Sequence, residues 1–252
     1  MTAEVTAIVT CMTEAERPFL RETLQSVQNQ TLPCETIVVA LESNTRIGDL
    51  AAEFPRLRIV RRPPGWAGAA RNTGVSAATT EFVGFLDGDD VWLPTKTIRQ
   101  VEFLRGGRRD FVGVDYLMIN EQGKPFAYAL ARYLPAPSAW MVRRETMLQY
   151  PFDPDVSAGD EDGHWWLSTW STVRKFRLPE PLIKYRVRGQ SMSTGMPSKR
   201  RKLALSRLSG LPTARPLLLA ATYALHQLYR RPDYIPSKDW HVPETTAIQT
   251  HV

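Results

Sequence analysis

The chain has 252 residues, 43% hydrophobic, 23% charged and 10% aromatic, with 32 Lys and Arg against 26 Asp and Glu. That composition fits a globular protein with one large domain or two unequal lobes. Its two cysteines, Cys11 and Cys34, are too few for a disulfide framework or a four-thiolate metal site, and neither has a histidine nearby. No apolar run approaches the roughly eighteen residues a membrane span needs, and no basic segment or cleavage site precedes the first strand pattern. The expectation is a cytoplasmic protein without a signal peptide, at most peripheral to a membrane.

In chain order, Val5–Val9 reads as a strand, and Pro18 stands where a helix begins, with Leu20, Leu24 and Val27 at helical spacing. Thr36–Leu41 is a second strand and precedes the polar turn Glu42–Asn44. Leu57–Val60 is a third strand candidate. The alanine-rich segment Ala67–Ala78 reads as a helix feeding the strand Glu81–Leu86, and Pro94 opens a helix with Ile98, Val101 and Leu104 inward. This alternation predicts an α/β fold with a mostly parallel, doubly wound sheet.

The strand Glu81–Leu86 runs into Asp87-Gly88-Asp89-Asp90, which crowds three carboxylates into four positions. Such like charges repel one another, which an exposed turn tolerates and a divalent cation with oxygen ligands relieves. In doubly wound sheets, ligands bind beyond the carboxyl ends of the strands. The polar turns Thr10–Thr13, Glu42–Asn44 and Asp87–Asp90 all fall there.

These segments, with Gly68-Ala69-Ala70-Arg71-Asn72-Thr73-Gly74 between them, resemble a family 2 glycosyltransferase with the A-type nucleotide-sugar fold. The resemblance continues through Gly159-Asp160-Glu161-Asp162, followed by His164-Trp165-Trp166-Leu167, to Tyr185-Arg186-Val187-Arg188-Gly189-Gln190-Ser191-Met192-Ser193, covering about residues 4–195. It implies inverting transfer of a sugar from a nucleotide-diphosphate donor to an acceptor hydroxyl, with Mn2+ or Mg2+ offsetting charge on the leaving diphosphate. By the same resemblance, Asp87 faces the ribose or donor sugar, and Asp89 carries the metal, with Asp87 as a second ligand. Arg71 contacts the donor nucleotide or its phosphates. Asp90 either holds the metal's waters or caps the turn before the next helix. Asp162 is the expected base, with Glu161 and Asp160 as alternates, since only one of the three can point at a given spot from a helix. An acidic helix N-terminus matching the macrodipole accounts for the remaining carboxylates. His164 is expected exposed or packed, not metal-bound.

Three departures from the family pattern bear on the donor. Ala40-Leu41-Glu42 stands where aspartates usually read the base, which leaves Glu42 as the candidate. Thr10-Cys11-Met12-Thr13 lacks the usual aromatic, and Met12 offers a softer contact. Arg188 replaces a histidine that can complete metal coordination; an arginine cannot ligate a metal but can hold diphosphate.

The expected organisation is a donor half at about 1–115 and an acceptor half at about 116–195, then a basic helical extension at 196–231 and an extended tail at 232–252. Lys199, Arg200, Arg201 and Lys202 suggest an anionic membrane surface, a nucleic acid or a solvated face. The default acceptor is a saccharide or lipid-linked glycan. One alternative is a transferase acting on hydroxymethylated DNA, for which Trp140, Trp165 and Trp166 would line a cleft for an extruded base. Another is a non-catalytic nucleotide-sugar binder.

Overall fold

The computed structural model describes residues 3–188, except 13, 52, 55, 132–134 and 157–160, together with 234–236. The extension at 196–231, and with it the basic run from Lys199 to Lys202, lies outside the described residues. So do Asp160 and Thr13.

The first half is a run of βα units: β1 (Val5–Thr10), α1 (Arg17–Gln28), β2 (Cys34–Leu41), α2 (Gly48–Ala51), β3 (Leu57–Arg62), α3 (Ala67–Ala77) and β4 (Phe82–Asp87). After β5 (Val91–Trp92) come α4 (Lys96–Arg105), β6 (Phe111–Ile119), β7 (Pro125–Ala129), β8 (Trp140–Arg143) and α5 (Arg144–Gln149). The described elements end with α6 (Glu161–Ser168), β9 (Lys175–Arg186) and β10 (Tyr234–Pro236).

One sheet runs in the order β10-β7-β6-β8-β4-β1-β2-β3. Its β3-β2-β1-β4 part is parallel, with Ile8 of β1 level with Ile37 and Phe85. Beyond β4 the sheet is mixed: β8 is antiparallel to β4 and β6, and β7 is antiparallel to β6. The other edge of β6 is covered by β9, which runs parallel to it and also pairs antiparallel with β5. The β6–β9 register slips on both sides of Asp115, opposite the Pro179-Glu180-Pro181 stretch. Proline has no N–H for the ladder, so the strand slips there.

β1, β2 and β4 are buried on both faces and therefore read as continuous apolar runs, while the edge strand β3 leaves Arg58 and Arg61 exposed. α3 lies close on β1 because Gly74 has no side chain; a Cβ there would collide with Ile8 Cγ2. Gly74→Ala is expected to cost about 1–3 kcal/mol by overpacking. A urea midpoint equal to wild type would contradict this contact.

Between α6 and the sheet, Phe85, Phe111, Trp140, Phe152, Trp165 and Trp166 form one aromatic cluster, the closest pair being Phe111 and Trp140 at 5.1 Å. Trp140, Trp165 and Trp166 are therefore core and line no cleft for a base. The Lys175 ammonium lies 5.2 Å from the Trp165 ring centre, and burial lowers its pKa to about 8. The native state thus binds fewer protons than the unfolded chain between about pH 8 and the usual lysine value, so stability from this group rises with pH across that window. Lys175→Met is expected to be the more stable protein at pH 7 and to lose that rise. Parallel stability profiles for the two proteins above pH 8 would refute it.

The inward face of α4 is more polar than its apolar spacing suggests, because Lys96, Thr97 and Gln100 are buried with Val101 and Leu104. Each finds a main-chain acceptor. Gln100 Nε2 donates to the carbonyls of Val112 and Ala139 at 3.0 Å, Thr97 Oγ1 to Leu32 at 3.0 Å, and Lys96 Nζ to Trp140 at 3.3 Å. These bonds cross-link α4 to the segment before β2, to β6 and to the start of β8. No helix among the described residues is long and apolar enough to cross a membrane.

Candidate active site

The parallel strands point their carboxyl ends at one edge, where hydrogen bonds tie the turns into a continuous rim. Gly88 N–H donates to the Thr10 carbonyl at 2.9 Å and Cys11 N–H to Val39 at 3.0 Å. Asn44 Nδ2 donates to the Cys11 carbonyl at 3.3 Å, and Arg61 Nη1 to the Asn44 carbonyl at 2.7 Å. A Cβ on Gly88 would stand 3.0 Å from the Thr10 carbonyl oxygen and 3.1 Å from Glu16 Cβ, so glycine permits this close approach.

Asp87 ends β4. Its Oδ1 accepts from Thr10 Oγ1 at 3.0 Å and from Arg71 Nη2 at 2.8 Å. Arg71 comes from the buried face of α3, and its Nη1 donates to Glu161 Oε1 at 2.7 Å. Burial opposes the guanidinium charge, but Asp87 and Glu161 together overcome it and raise the Arg71 pKa. Arg71 Nε is buried without a hydrogen-bond partner. Gly68, one turn earlier, lets Phe152 and the Glu161 Cβ approach α3 to 3.1 and 3.2 Å of where its own Cβ would be. Thus Thr10, Asp87, Arg71 and Glu161 form a single network across the sheet edge.

Asp89 is only 8% exposed, so the turn is not the open one expected from its sequence. Its Oδ2 lies 2.6 Å from Arg188 Nε. Arg188 Nη2 is also 3.8 Å from Glu16 Oε1. Burial and then the charge of Asp87 push the Asp89 pKa up to about 6, with Arg188 opposing them.

Asp90 is fully buried, and both its oxygens are engaged. Oδ2 accepts from Ser138 Oγ at 2.5 Å and Oδ1 from Arg186 N–H at 2.7 Å, while burial raises its pKa well above the usual range. Asp90 does not cap the next helix, since the N-cap of α4 is Thr95. Asp90 instead fastens the turn to β9 and to the loop before β8.

Of the other expected donor residues, Cys11 is buried in the rim, with burial lifting its thiol to about 12. Met12 is half-buried against the core, and Glu42 stands in the exposed turn after β2. Asp162 is half-buried at the start of α6, where its Oδ1 accepts from Gly163 N–H at 2.7 Å. His164 Nε2 lies 3.9 Å from Asp153 Oδ2. Among the described residues, no three His, Cys, Asp or Glu side chains are grouped to hold a metal. Asp87 Oδ2 and Asp89 Oδ1 nevertheless carry no hydrogen bond there. Two carboxylate oxygens of this kind suit a hard cation that draws its other ligands from a diphosphate and water.

Three residues given no role from sequence complete the site. Ser138 accepts from Asp87 N–H at 3.1 Å while donating to Asp90. Asn72 clasps the Phe152 backbone, donating to its carbonyl at 2.7 Å and accepting from its N–H at 3.0 Å. Arg186 is the keystone of the turn. Its Nε donates to the Asp89 carbonyl at 2.8 Å, Nη1 to Glu121 at 2.9 Å and Nη2 to Glu22 Oε2 at 2.6 Å, with Phe19 beneath the guanidinium at 4.6 Å. Asn72 and Arg186 sit inside recognisable motifs, whereas nothing around Pro137-Ser138 announces a site residue. On the same edge, after β3, Trp66 is 47% exposed.

A parallel βαβ half ending in an Asp-Gly-Asp turn, continued by a mixed sheet with an acidic helix over it, is the A-type nucleotide-sugar glycosyltransferase fold. The chain is similar to S. aureus TarS crystallised with UDP-GlcNAc, at a TM-score of 0.68 and 20% identity over 91% of this chain and 74% of that one. The Glycosyl transferase family 2 pattern matches residues 6–181, and the chain belongs to that family. Similar curated relatives include a glycosyltransferase, EpsJ, of Bacillus subtilis, 33% identical over 39% of this chain and 30% of that protein. The succinoglycan biosynthesis protein ExoW of Rhizobium meliloti is 42% identical over 32% of this chain and 28% of its own length. The chain thus spans less than a third of these two relatives. A Methanocaldococcus jannaschii glycosyltransferase is 23% identical over 73% of this chain and 70% of that protein.

Proposed function

We propose that this family 2 glycosyltransferase moves a sugar, with inversion, from a nucleotide-diphosphate donor to a hydroxyl of a saccharide or lipid-linked glycan. The observation that carries the proposal is the Thr10–Asp87–Arg71–Glu161 network beside Asp89 at the carboxyl edge of the parallel strands. The nucleotide lies along the rim formed by Thr10, Cys11, Met12 and Glu42, and Trp66 offers an exposed ring on that edge in place of the missing aromatic. Asp87 faces the ribose or sugar. Arg71 holds Asp87 in place, and Arg188 faces the diphosphate. Family 2 enzymes generally use a divalent metal; here Asp89, with Asp87, would hold Mn2+ or Mg2+, which offsets charge on the diphosphate as it leaves.

Asp162 accepts the proton of the attacking acceptor hydroxyl. Glu161 is buried and committed to Arg71, so of the two described carboxylates at this helix start the half-buried Asp162 is the one that an acceptor can reach. The donor and acceptor halves divide near residue 115. The names of ExoW and of a teichuronic acid glycosyltransferase of Bacillus subtilis favour a polysaccharide acceptor. The excess of basic residues suits cytoplasmic action at an anionic membrane surface. With the three tryptophans in the core, only that charge remains to favour DNA.

The test is a screen of UDP-, GDP- and dTDP-sugars with Mn2+ against oligosaccharide, lipid-linked and hydroxymethylated DNA acceptors. Transfer to a glycan with inverted anomeric configuration is the expected result. Transfer to DNA alone, or donor binding without transfer to any acceptor, would overturn the acceptor or the enzyme assignment respectively.

A further inference from the structure

We infer that Arg188 is a built-in counter-cation for Asp89 that a divalent metal must displace, so that this chain takes its metal efficiently only together with the donor diphosphate. The inference rests on the reading of this edge as a donor and metal site. It starts from how charge is distributed over the three carboxylates. Asp90 has both oxygens tied to Ser138 and the Arg186 backbone, and Asp87 shares the Arg71 guanidinium with Glu161. Asp89 is the main carboxylate left to take a metal, beside Oδ2 of Asp87, and Arg188 Nε already stands 2.6 Å from Asp89 Oδ2.

A metal bound to Asp89 would lie within a few ångströms of that guanidinium, and two cations so close repel strongly in a buried setting. Arg188 cannot relieve the conflict by losing its proton, since a guanidinium stays charged. It can relieve it by moving. Its side chain is 17% exposed against 2% for Arg186, which is pinned to the Asp89, Asn120 and Glu121 carbonyls and to Glu22. Arg188 stands two residues further along, just past the end of β9, with Glu16 as a second carboxylate 3.8 Å away.

A diphosphate supplies the acceptor for that movement. Guanidinium pairs bidentately with phosphate oxygens, and the added negative charge accommodates both the metal and the arginine. Without the diphosphate, metal and Arg188 compete for one carboxylate; with it, they share a larger anionic centre. Metal and diphosphate therefore bind with positive coupling, and by linkage each raises the affinity of the other.

The test is a titration of Mn2+, followed by electron paramagnetic resonance of the free ion, on wild type and on Arg188→Gln and Arg188→Lys. It is run with and without UDP, correcting for the Mn2+–UDP complex, and UDP affinity is also measured by calorimetry in EDTA. For wild type, Mn2+ affinity is expected to rise at least tenfold when UDP is present. Arg188→Gln is expected to bind Mn2+ alone at least tenfold more tightly than wild type, to lose most of the coupling, and to bind UDP in EDTA more weakly. Arg188→Lys, which keeps the charge, is expected to stay near wild type without UDP and so to control for simple loss of packing. Equal Mn2+ affinity of wild type and Arg188→Gln, with UDP binding to both, overturns the inference and leaves the donor site standing. If Mn2+ binding to Arg188→Gln survives Asp89→Asn, or none of UDP, GDP and dTDP binds any of the proteins, the underlying reading falls as well.

Discussion

Asp89→Asn is expected to lower kcat/KM for sugar transfer by about three powers of ten. A metal offsetting charge on a leaving diphosphate contributes several kcal/mol to the transition state, and each 1.4 kcal/mol is roughly tenfold in rate. Asparagine is the informative replacement because Asp89 is buried beside Arg188; removing the whole side chain would also open a gap there. Thermal unfolding of the variant is expected near that of wild type. Full wild-type activity in excess chelator would contradict the metal role.

Asp162→Asn is expected to lower turnover by roughly two to four powers of ten with little change in donor affinity, since a base acts on the acceptor. Glu161→Gln has a different expected signature. It leaves the buried Arg71 guanidinium with only Asp87 as an ionic partner, and breaking a buried ion pair in this way costs on the order of 3 kcal/mol. Its main readouts are then lower stability and weaker donor binding. Near-normal turnover in Asp162→Asn, with a stable but inactive Glu161→Gln, would move the base to Glu161.

The parallel half was legible because β1, β2 and β4 are buried on both faces, and continuous apolar runs such as Val5–Val9 and Thr36–Leu41 bounded by polar turns have few other readings. The mixed half was not assigned strands, for local reasons. β9 carries Pro179 and Pro181, which argue against a strand and are tolerated only where its register slips. β5 and β8 are two and four residues long, too short for a period to show. α4 was placed correctly, but its buried Lys96, Thr97 and Gln100 follow acceptors from other segments that only the tertiary structure supplies.

The site divides along the same line. Asp87, Asp89 and Arg71 lie in motifs with a chemical reason for their spacing, and the structure brings them to one edge. The role of Asp90 was not legible, because its partners are Ser138 and the backbone of Arg186, 48 and 96 residues away. For the same reason Glu161 could not be recognised as the partner of Arg71, 90 residues distant, and it stood only as an alternate to Asp162.

The most direct test of the central claim is calorimetric titration of UDP-, GDP- and dTDP-sugars with Mn2+ into wild type and into Asp87→Asn. The account predicts that at least one nucleotide sugar binds wild type and that Asp87→Asn weakens this binding at least tenfold, because Asp87 joins Thr10 and Arg71 at the donor edge. Absence of binding by every donor, or equal affinity for both proteins, would contradict it.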